Sequence, residues 1–282
     1  MRIVSRTIPI KSIAEGVRIS FLGDWHLGVA NCDKKYIKGA IKTIISEPSH
    51  YVIGMGDYID AIGAKDPRWD EGCLDPAMPS NRNVFDWQLE TAYDLLAPLG
   101  KRIISLHSGN HEHTAKRATA FDLSELLAYK LHVPAAGITS YTRLKFTGRN
   151  KSGLDPVNIW CHHGTGAGRK TGAKLNRLVD TVAAYEADIY AAGHTHEIGT
   201  KFIPRIYPLR EKIVAENKYY LQTGSALKAS LPDYNSPNST YVERMGLPPV
   251  AIGHVCVHIQ PGRRAWSHNN AATRIRAWEV PG

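Results

Sequence analysis

Five short apolar runs in this chain each stop at a cluster of Asp, His or Asn. Val17-Arg18-Ile19-Ser20-Phe21-Leu22 ends in Gly23-Asp24-Trp25-His26, and Tyr51-Val52-Ile53-Gly54-Met55 in Gly56-Asp57. Ile103-Ile104-Ser105-Leu106 leads to Gly109-Asn110-His111-Glu112, Val157-Asn158-Ile159-Trp160-Cys161 to His162-His163-Gly164, and Asp188-Ile189-Tyr190-Ala191-Ala192 to Gly193-His194-Thr195-His196. Runs this rich in β-branched and apolar residues read as buried strands. A lone Asp after a strand is usually a turn or a helix cap, and a lone buried His is usually just hydrogen-bonded. Five such ends after five strands ask for one common cause. In open α/β sheets ligands bind beyond the carboxyl ends of the strands, so all five clusters are expected along one edge.

Helical periodicity fills the intervals. Ile37, Ile41, Ile44 and Ile45 share one face of a helix expected over Asp33–Ser46. Phe85, Leu89, Ala92, Leu95 and Leu96 do the same over Val84–Leu99, and Leu175, Leu178, Val179 and Val182 over Ala173–Tyr185. A further helix is expected over Ala118–Leu131, with Asp122 and Glu125 near its start. After residue 200 strand-like runs dominate: Lys201–Tyr207, Lys212–Val214, Tyr219–Gln222 and Val250–Gln260. The tail from Ala265 carries no assignable pattern.

Residue type limits the chemistry. Asp24, His26, Asp57, Asn110, His194, His196 and one of the pair His162-His163 supply oxygen and imidazole ligands but no thiolate. That set suits Mn²⁺, Fe or Zn²⁺. It is too large for one ion and right for two. Two ions roughly 3.5–4 Å apart can bind a phosphate oxygen, activate a bridging water and stabilise in-line displacement. The four cysteines are dispersed, without a CxxC pair, which excludes a cysteine-rich zinc module and a disulfide framework.

These clusters resemble the motif series of the calcineurin-like metallophosphoesterases: D-x-H, GD-x-x-D, GNH(E/D), a later His before Gly, and GH-x-H. Here they read Asp24-Trp25-His26, Gly56-Asp57-Tyr58-Ile59-Asp60, Gly109-Asn110-His111-Glu112, His163-Gly164 and Gly193-His194-Thr195-His196, in order across residues 23–196. The resemblance implies a four-layer α-β-β-α sandwich, two mixed sheets flanked by helices, with a dinuclear metal site at the strand C-terminal ends. It implies a single domain over 1–282, with a motif core at 17–226, loop insertions at 63–83 and 230–249, and a C-terminal strand and tail at 250–282. Asp24, His26 and His196 would hold one divalent ion, Mn²⁺ first and Fe or Zn²⁺ next. Asn110, His163 and His194 would hold the second, with Asp57 bridging. His111 would be the catalytic acid, Glu112 its neighbouring supporting carboxylate, and Asp60 a structural residue. His107 and His113 read as structural.

The net charge of +9, from 35 Lys+Arg against 26 Asp+Glu, favours an anionic partner. The glycine-rich segment Thr165–Gly172 and the helix after it place Arg169, Lys170, Lys174 and Arg177 near the fourth motif, where with His162 they are candidates to bind substrate. The segment lacks P-loop spacing and resembles phage- and prophage-type members of the family. The expected activity is phosphodiester hydrolysis on a nucleotide or nucleic acid by attack of a metal-bridging hydroxide. A phosphomonoesterase is the alternative, and a non-catalytic scaffold ranks third because every ligand position is intact. The N-terminus lacks a signal-peptide core and no run is long enough to span a bilayer. A cytoplasmic protein with no membrane partner is therefore expected.

Overall fold

β2 (Val17–Leu22) is buried at every position except Arg18, so its apolar run is a strand covered on both faces. It pairs in parallel with β3 (His50–Gly54), which pairs in parallel with β4 (Ile103–His107), and that with the short β5 (Ala135–Gly137). On its other side β2 pairs antiparallel with β11 (Gly253–Gln260), and β11 with β12 (Arg274–Pro281). This is one mixed sheet. The other runs β1 (Arg2–Pro9), β6 (Thr139–Thr147), β7 (Val157–His162), β8 (Ile189–Ala192), β10 (Lys212–Ser225), with β9 (Ile198–Leu209) pairing antiparallel to β10. The two sheets join where Gly224 and Ser225 of β10 pair with His254 and Gly253 of β11. The computed structural model describes residues 1–64, 66, 69–148, 153–165, 172–209, 211–231, 239–262 and 273–282.

The sheets face each other across a core containing Ile19, Phe21, Ile53, Ile104, Ile159, Leu221 and Val257, all fully buried. Each such side chain contributes about 1.5–3 kcal/mol of burial. Helices α1 (Lys34–Ser46), α2 (Val84–Leu96) and α4 (Leu123–Lys130) cover the outer face of the first sheet through Ile37, Ile41, Leu89, Leu96 and Leu127. Helix α5 (Ala173–Thr181) covers the second through Leu178, against Trp160 and Tyr190. The result is the expected four layers, α-β-β-α. Among the described residues no helix is long and apolar enough to cross a membrane.

Several boundaries differ from the periodicity. The helix expected over Ala118–Leu131 is split: α3 (Asn110–Thr119) runs out of the third motif and ends where Ala120 turns left-handed at φ 61°. Asp122 then starts α4 by accepting the Glu125 N–H at 3.1 Å. Helix α2 stops at Leu96 because Pro98 follows within a 3₁₀ segment, Ala97–Arg102, and α5 stops at Thr181. The separate runs Lys212–Val214 and Tyr219–Gln222 are one strand, β10, and the unassigned tail supplies β12. The 63–83 loop is tied down at its centre: Lys34 Nζ lies 2.5 Å from Asp75 Oδ2, and Ala30 N–H donates to the Cys73 carbonyl at 2.9 Å.

Candidate metal centre

Strand register sets the site. Leu22 pairs with Gly54, and beyond the strands Asp24 N–H donates to the Gly56 carbonyl while Trp25 and His26 N–H donate to the Asp57 carbonyl, at 2.9–3.0 Å. The first two motifs therefore lie side by side. His162 pairs with Ala192, which brings His163 next to Gly193. The five strand ends come from both sheets, three from β2, β3 and β4 and two from β7 and β8, so the expected single edge is the shared rim of a two-sheet sandwich.

At this rim the backbone leaves its ordinary range. Asp24, His26, Asp57, His194 and His196 all have positive φ, between 49° and 66°. Such conformations cost non-glycine residues on the order of 1–3 kcal/mol each and persist only where surroundings over-determine them. Here the turn that aims each side chain inward is fixed by hydrogen bonds between motifs: His194 N–H donates to Asp24 Oδ1 at 2.9 Å and Ser225 Oγ to the Asp24 carbonyl at 2.7 Å. Two glycines permit the closest approach. A Cβ on Gly109 would lie 2.0 Å from Asp57 Oδ1, and one on Gly56, at φ 93°, would lie 2.5 Å from Gly109 N.

The candidate ligand atoms fall into two adjoining sets, and His26 also converges with Asp60 and His111. Asp24, His26 and His196 converge, with His196 Nε2 3.1 Å from His26 Nε2 and 3.5 Å from Asp24 Oδ1. Asp57, His163 and His194 form the second, and Asn110 Oδ1 lies 3.0 Å from His163 Nε2 and 2.7 Å from His194 Nδ1. Asp57 Oδ2 stands between them, 3.1 Å from His163 Nε2 and 3.9 Å from His26 Nε2. His163 Nδ1 donates to the Met55 carbonyl at 2.8 Å, which leaves Nε2 toward the cluster.

The electrostatics fit cations. Asp24 and Asp57 are 0% and 1% exposed, a costly burial for two carboxylates without positive charge beside them. Burial, with Asp57 adding, drives Asp24 well above the usual carboxylate range. Burial also raises Asp57, but His163 and His111 more than offset it and hold that carboxyl well below the usual range. Burial opposes charge on His163, yet Asp57 and Asp24 carry its pKa up to about 10. The field at the junction of the two sets therefore favours a positive charge. Burial first, and then neighbouring imidazoles, push His194 down to about 4 and His196 well below its ordinary value, so both present neutral nitrogen ligands. Oxygen and imidazole donors of this number and convergence fit two divalent ions.

The remaining candidates separate. His111 N–H donates to Asp57 Oδ1 at 2.9 Å, and its Nδ1–H donates to the Asp60 carbonyl, so Nε2 is the free ring nitrogen. Its ring meets that of His26 edge-on at 4.5 Å. Glu112, grouped with His111 as a catalytic candidate, instead accepts backbone N–H groups from Gly109, Asp57, Tyr58 and Ile59, at 2.9, 3.0, 2.7 and 3.4 Å. It is 1% exposed and positions the second and third motifs. Burial and Asp57 raise it to about 7. Asp60 does more than the sequence suggests: its Oδ1 lies 3.4 Å from His26 Nδ1 and 3.6 Å from His111 Nδ1. The GD-x-x-D spacing was the available signal. His107 is buried and bonded to Gly54 and Ser140, whereas His113 is exposed on α3, its backbone N–H donating to the Gly109 carbonyl at 3.1 Å.

His162 turns away from the ligands. Gly164 N–H donates to its Nδ1 at 2.6 Å, its ring lies parallel to Trp160, and burial holds it neutral, near 4. With Lys174 and Arg177 it lines a cavity beside α5. The Lys174 ammonium is committed to Glu197 at 3.2 Å and the Thr195 carbonyl at 2.9 Å. Arg169 and Lys170 lie outside the described residues.

Fold and site together define a metal-dependent phosphoester hydrolase. A family model, calcineurin-like phosphoesterase, matches residues 17–197, and the chain belongs to that family. Solved structures similar to it include Vps29 complexed with zinc from Entamoeba histolytica, at 12% identity and TM-score 0.42 over 94% of this chain and 99% of that one. The calcineurin-like phosphoesterase YfkN from Bacillus subtilis is similar at 10% identity and TM-score 0.38, over 94% and 90%. No curated protein sequence matches the chain.

Proposed function

We propose that this enzyme is a Mn²⁺-dependent phosphodiesterase acting on a nucleotide or nucleic acid. The observation that carries the reading is what surrounds the ligand cluster. Among the described residues, the side-chain hydrogen bonds and ion pairs of the seven candidate ligands are with one another, with His111 and Asp60 and with the Met55 carbonyl, and none is with Arg or Lys. A phosphomonoester dianion calls for extra fixed positive charge on its non-bridging oxygens, usually a guanidinium fork. A diester carries one charge fewer and is matched by the ions and imidazoles alone. The net charge of +9 supports an anionic polymer or nucleotide as its source.

Bound divalent ions supply Lewis-acid polarisation of the phosphoryl group and a more acidic water. The chain supplies the rest. Asp57 and Asn110 fix the centre of the site. His111, held through Nδ1 by the Asp60 carbonyl, presents Nε2 to hand a proton to the departing oxygen, and the Asp60 carboxylate steadies the charged ring. The deciding experiment is turnover of bis-p-nitrophenyl phosphate against p-nitrophenyl phosphate after chelation and Mn²⁺ addition. Diester cleavage at least equal to monoester cleavage is expected; turnover of the monoester alone would overturn the reading in favour of a phosphomonoesterase.

A further inference from the structure

We infer that the cavity beside α5 is a subsite for the nucleobase flanking the scissile phosphate, an inference that rests on the phosphodiesterase reading. The cavity holds about 160 Å³ and touches Gly164, Gly193 and Thr195, the immediate neighbours of His163, His194 and His196. The cavity therefore opens beside the ligand cluster, and a base seated there is joined through its sugar to a phosphate at that cluster. His111 approaches that cluster from another side, against His26 and Asp60, so the subsite takes the part of the diester that stays rather than the part that leaves.

Size and surface choose the ligand class. Sites that engulf a drug-sized molecule run to about 300–1,000 Å³; this one admits a single ring system. Its walls are Trp160, Leu178 and Ala192, with the His162 ring lying parallel to Trp160 at 8° and 5.7 Å between centroids. Flat aromatic and aliphatic walls suit a planar base and leave sugar hydroxyls unsatisfied. Trp160 is 2% exposed and supplies a flat wall of the cavity. Polar features add direction. Because Gly164 N–H donates to His162 Nδ1, the ring proton sits on Nε2, a donor beside the Trp160 wall. Gln222 is already bonded to Thr195 Oγ1 at 2.7 Å and to the Lys174 carbonyl at 3.2 Å, so it fixes the floor. Arg177 is exposed at the rim without a hydrogen bond or ion pair among the described residues, a cation available to an adjacent phosphate.

The test fills the cavity from its rim. Ala173 is the exposed first residue of α5 and lines the cavity, so Ala173→Trp narrows it without touching the core. The variant and the parent enzyme, both loaded with Mn²⁺, are compared on thymidine 5′-(p-nitrophenyl phosphate) and on methyl p-nitrophenyl phosphate. Binding of thymidine 5′-monophosphate and of methyl phosphate is measured by calorimetry. Ala173→Trp is expected to raise KM for the thymidine ester by about tenfold or more and to weaken thymidine monophosphate binding likewise, with the methyl compounds unchanged. Equal effects on thymidine and methyl compounds, or no effect on either, would overturn the subsite. Failure of the parent enzyme to cleave either diester would instead defeat the phosphodiesterase reading, and the calorimetric comparison would still decide the subsite.

Discussion

The Glu112 carboxylate sits beneath Asp57, with Oε2 accepting the Asp57 backbone N–H at 3.0 Å. The same oxygen takes the Gly109 N–H at 2.9 Å, and Oε1 takes Tyr58 N–H at 2.7 Å. One buried side chain thus locks the loop after β3 to the start of α3. Glu112→Gln keeps the shape but turns an amide NH₂ toward backbone donors, leaving buried N–H groups unpaired. Such a loss costs about 1–3 kcal/mol per group. We expect the urea midpoint of the metal-free protein to fall and Mn²⁺ affinity to drop by about 10–100-fold. Unchanged values for both would remove Glu112 from the support of the site.

Asp57 stands between the two ligand sets, close to His163 on one side and His26 on the other. A carboxylate can serve two cations because it has two anionic oxygens; an amide cannot. Asp57→Asn should therefore lower bound metal at both positions. Elemental analysis after dialysis is the check, and two ions retained per chain would refute the bridging role.

Among the described residues, His111 bonds the second ligand set through its backbone N–H to Asp57. His111→Ala preserves that N–H, so metal content should hold while turnover falls by about 10²–10⁴-fold, the usual worth of a positioned general acid. Asp60→Asn should give a smaller loss of turnover, because the Asp60 carboxylate acts through the His111 ring. A His111→Ala enzyme with parental turnover would take His111 out of the chemistry.

The convergence of the candidate ligands was legible in the sequence because each follows a strand whose composition alone marks it, and strand ends of a parallel array converge whatever the intervening loops do. The α-β-β-α layering entered by resemblance, since the chain's own pattern distinguishes strands from helices but not which sheet a strand joins. Asp60 was underrated for a related reason: its contacts with His26 and His111 arise between motifs, from turns with positive φ that periodicity cannot show. Lys174 was a candidate to bind substrate from its place on a basic segment, yet its ammonium is held by Glu197 at 3.2 Å and the Thr195 carbonyl at 2.9 Å. The α3 helix escaped notice because its first residues are the polar motif itself and none of its residues is apolar enough to set a period.

His254, on β11 beside the end of β2, gives a test at a buried histidine outside the ligand cluster. It is 5% exposed, with Nε2 3.0 Å from Ser20 Oγ and Nδ1 2.6 Å from Tyr36 Oη. Burial, with His50 adding, lowers its pKa from 6.5 to about 4. The unfolded chain therefore binds a proton between pH 6.5 and about 4 that the folded chain refuses. Its share of stability is present above pH 6.5 and is lost progressively as pH falls toward 4. At 1.36 kcal/mol per unit the loss reaches about 2 kcal/mol by pH 5. His254→Gln keeps polar contact with Ser20 and Tyr36 but cannot titrate. Urea unfolding of the metal-free protein at pH 7 and pH 5 should show the variant losing about 2 kcal/mol less than the parent across that interval. Groups remote from His254, including the candidate ligand histidines, titrate in both proteins and cancel in the difference. Parallel losses in parent and variant would show that His254 takes up its proton in the folded chain as easily as in the unfolded one.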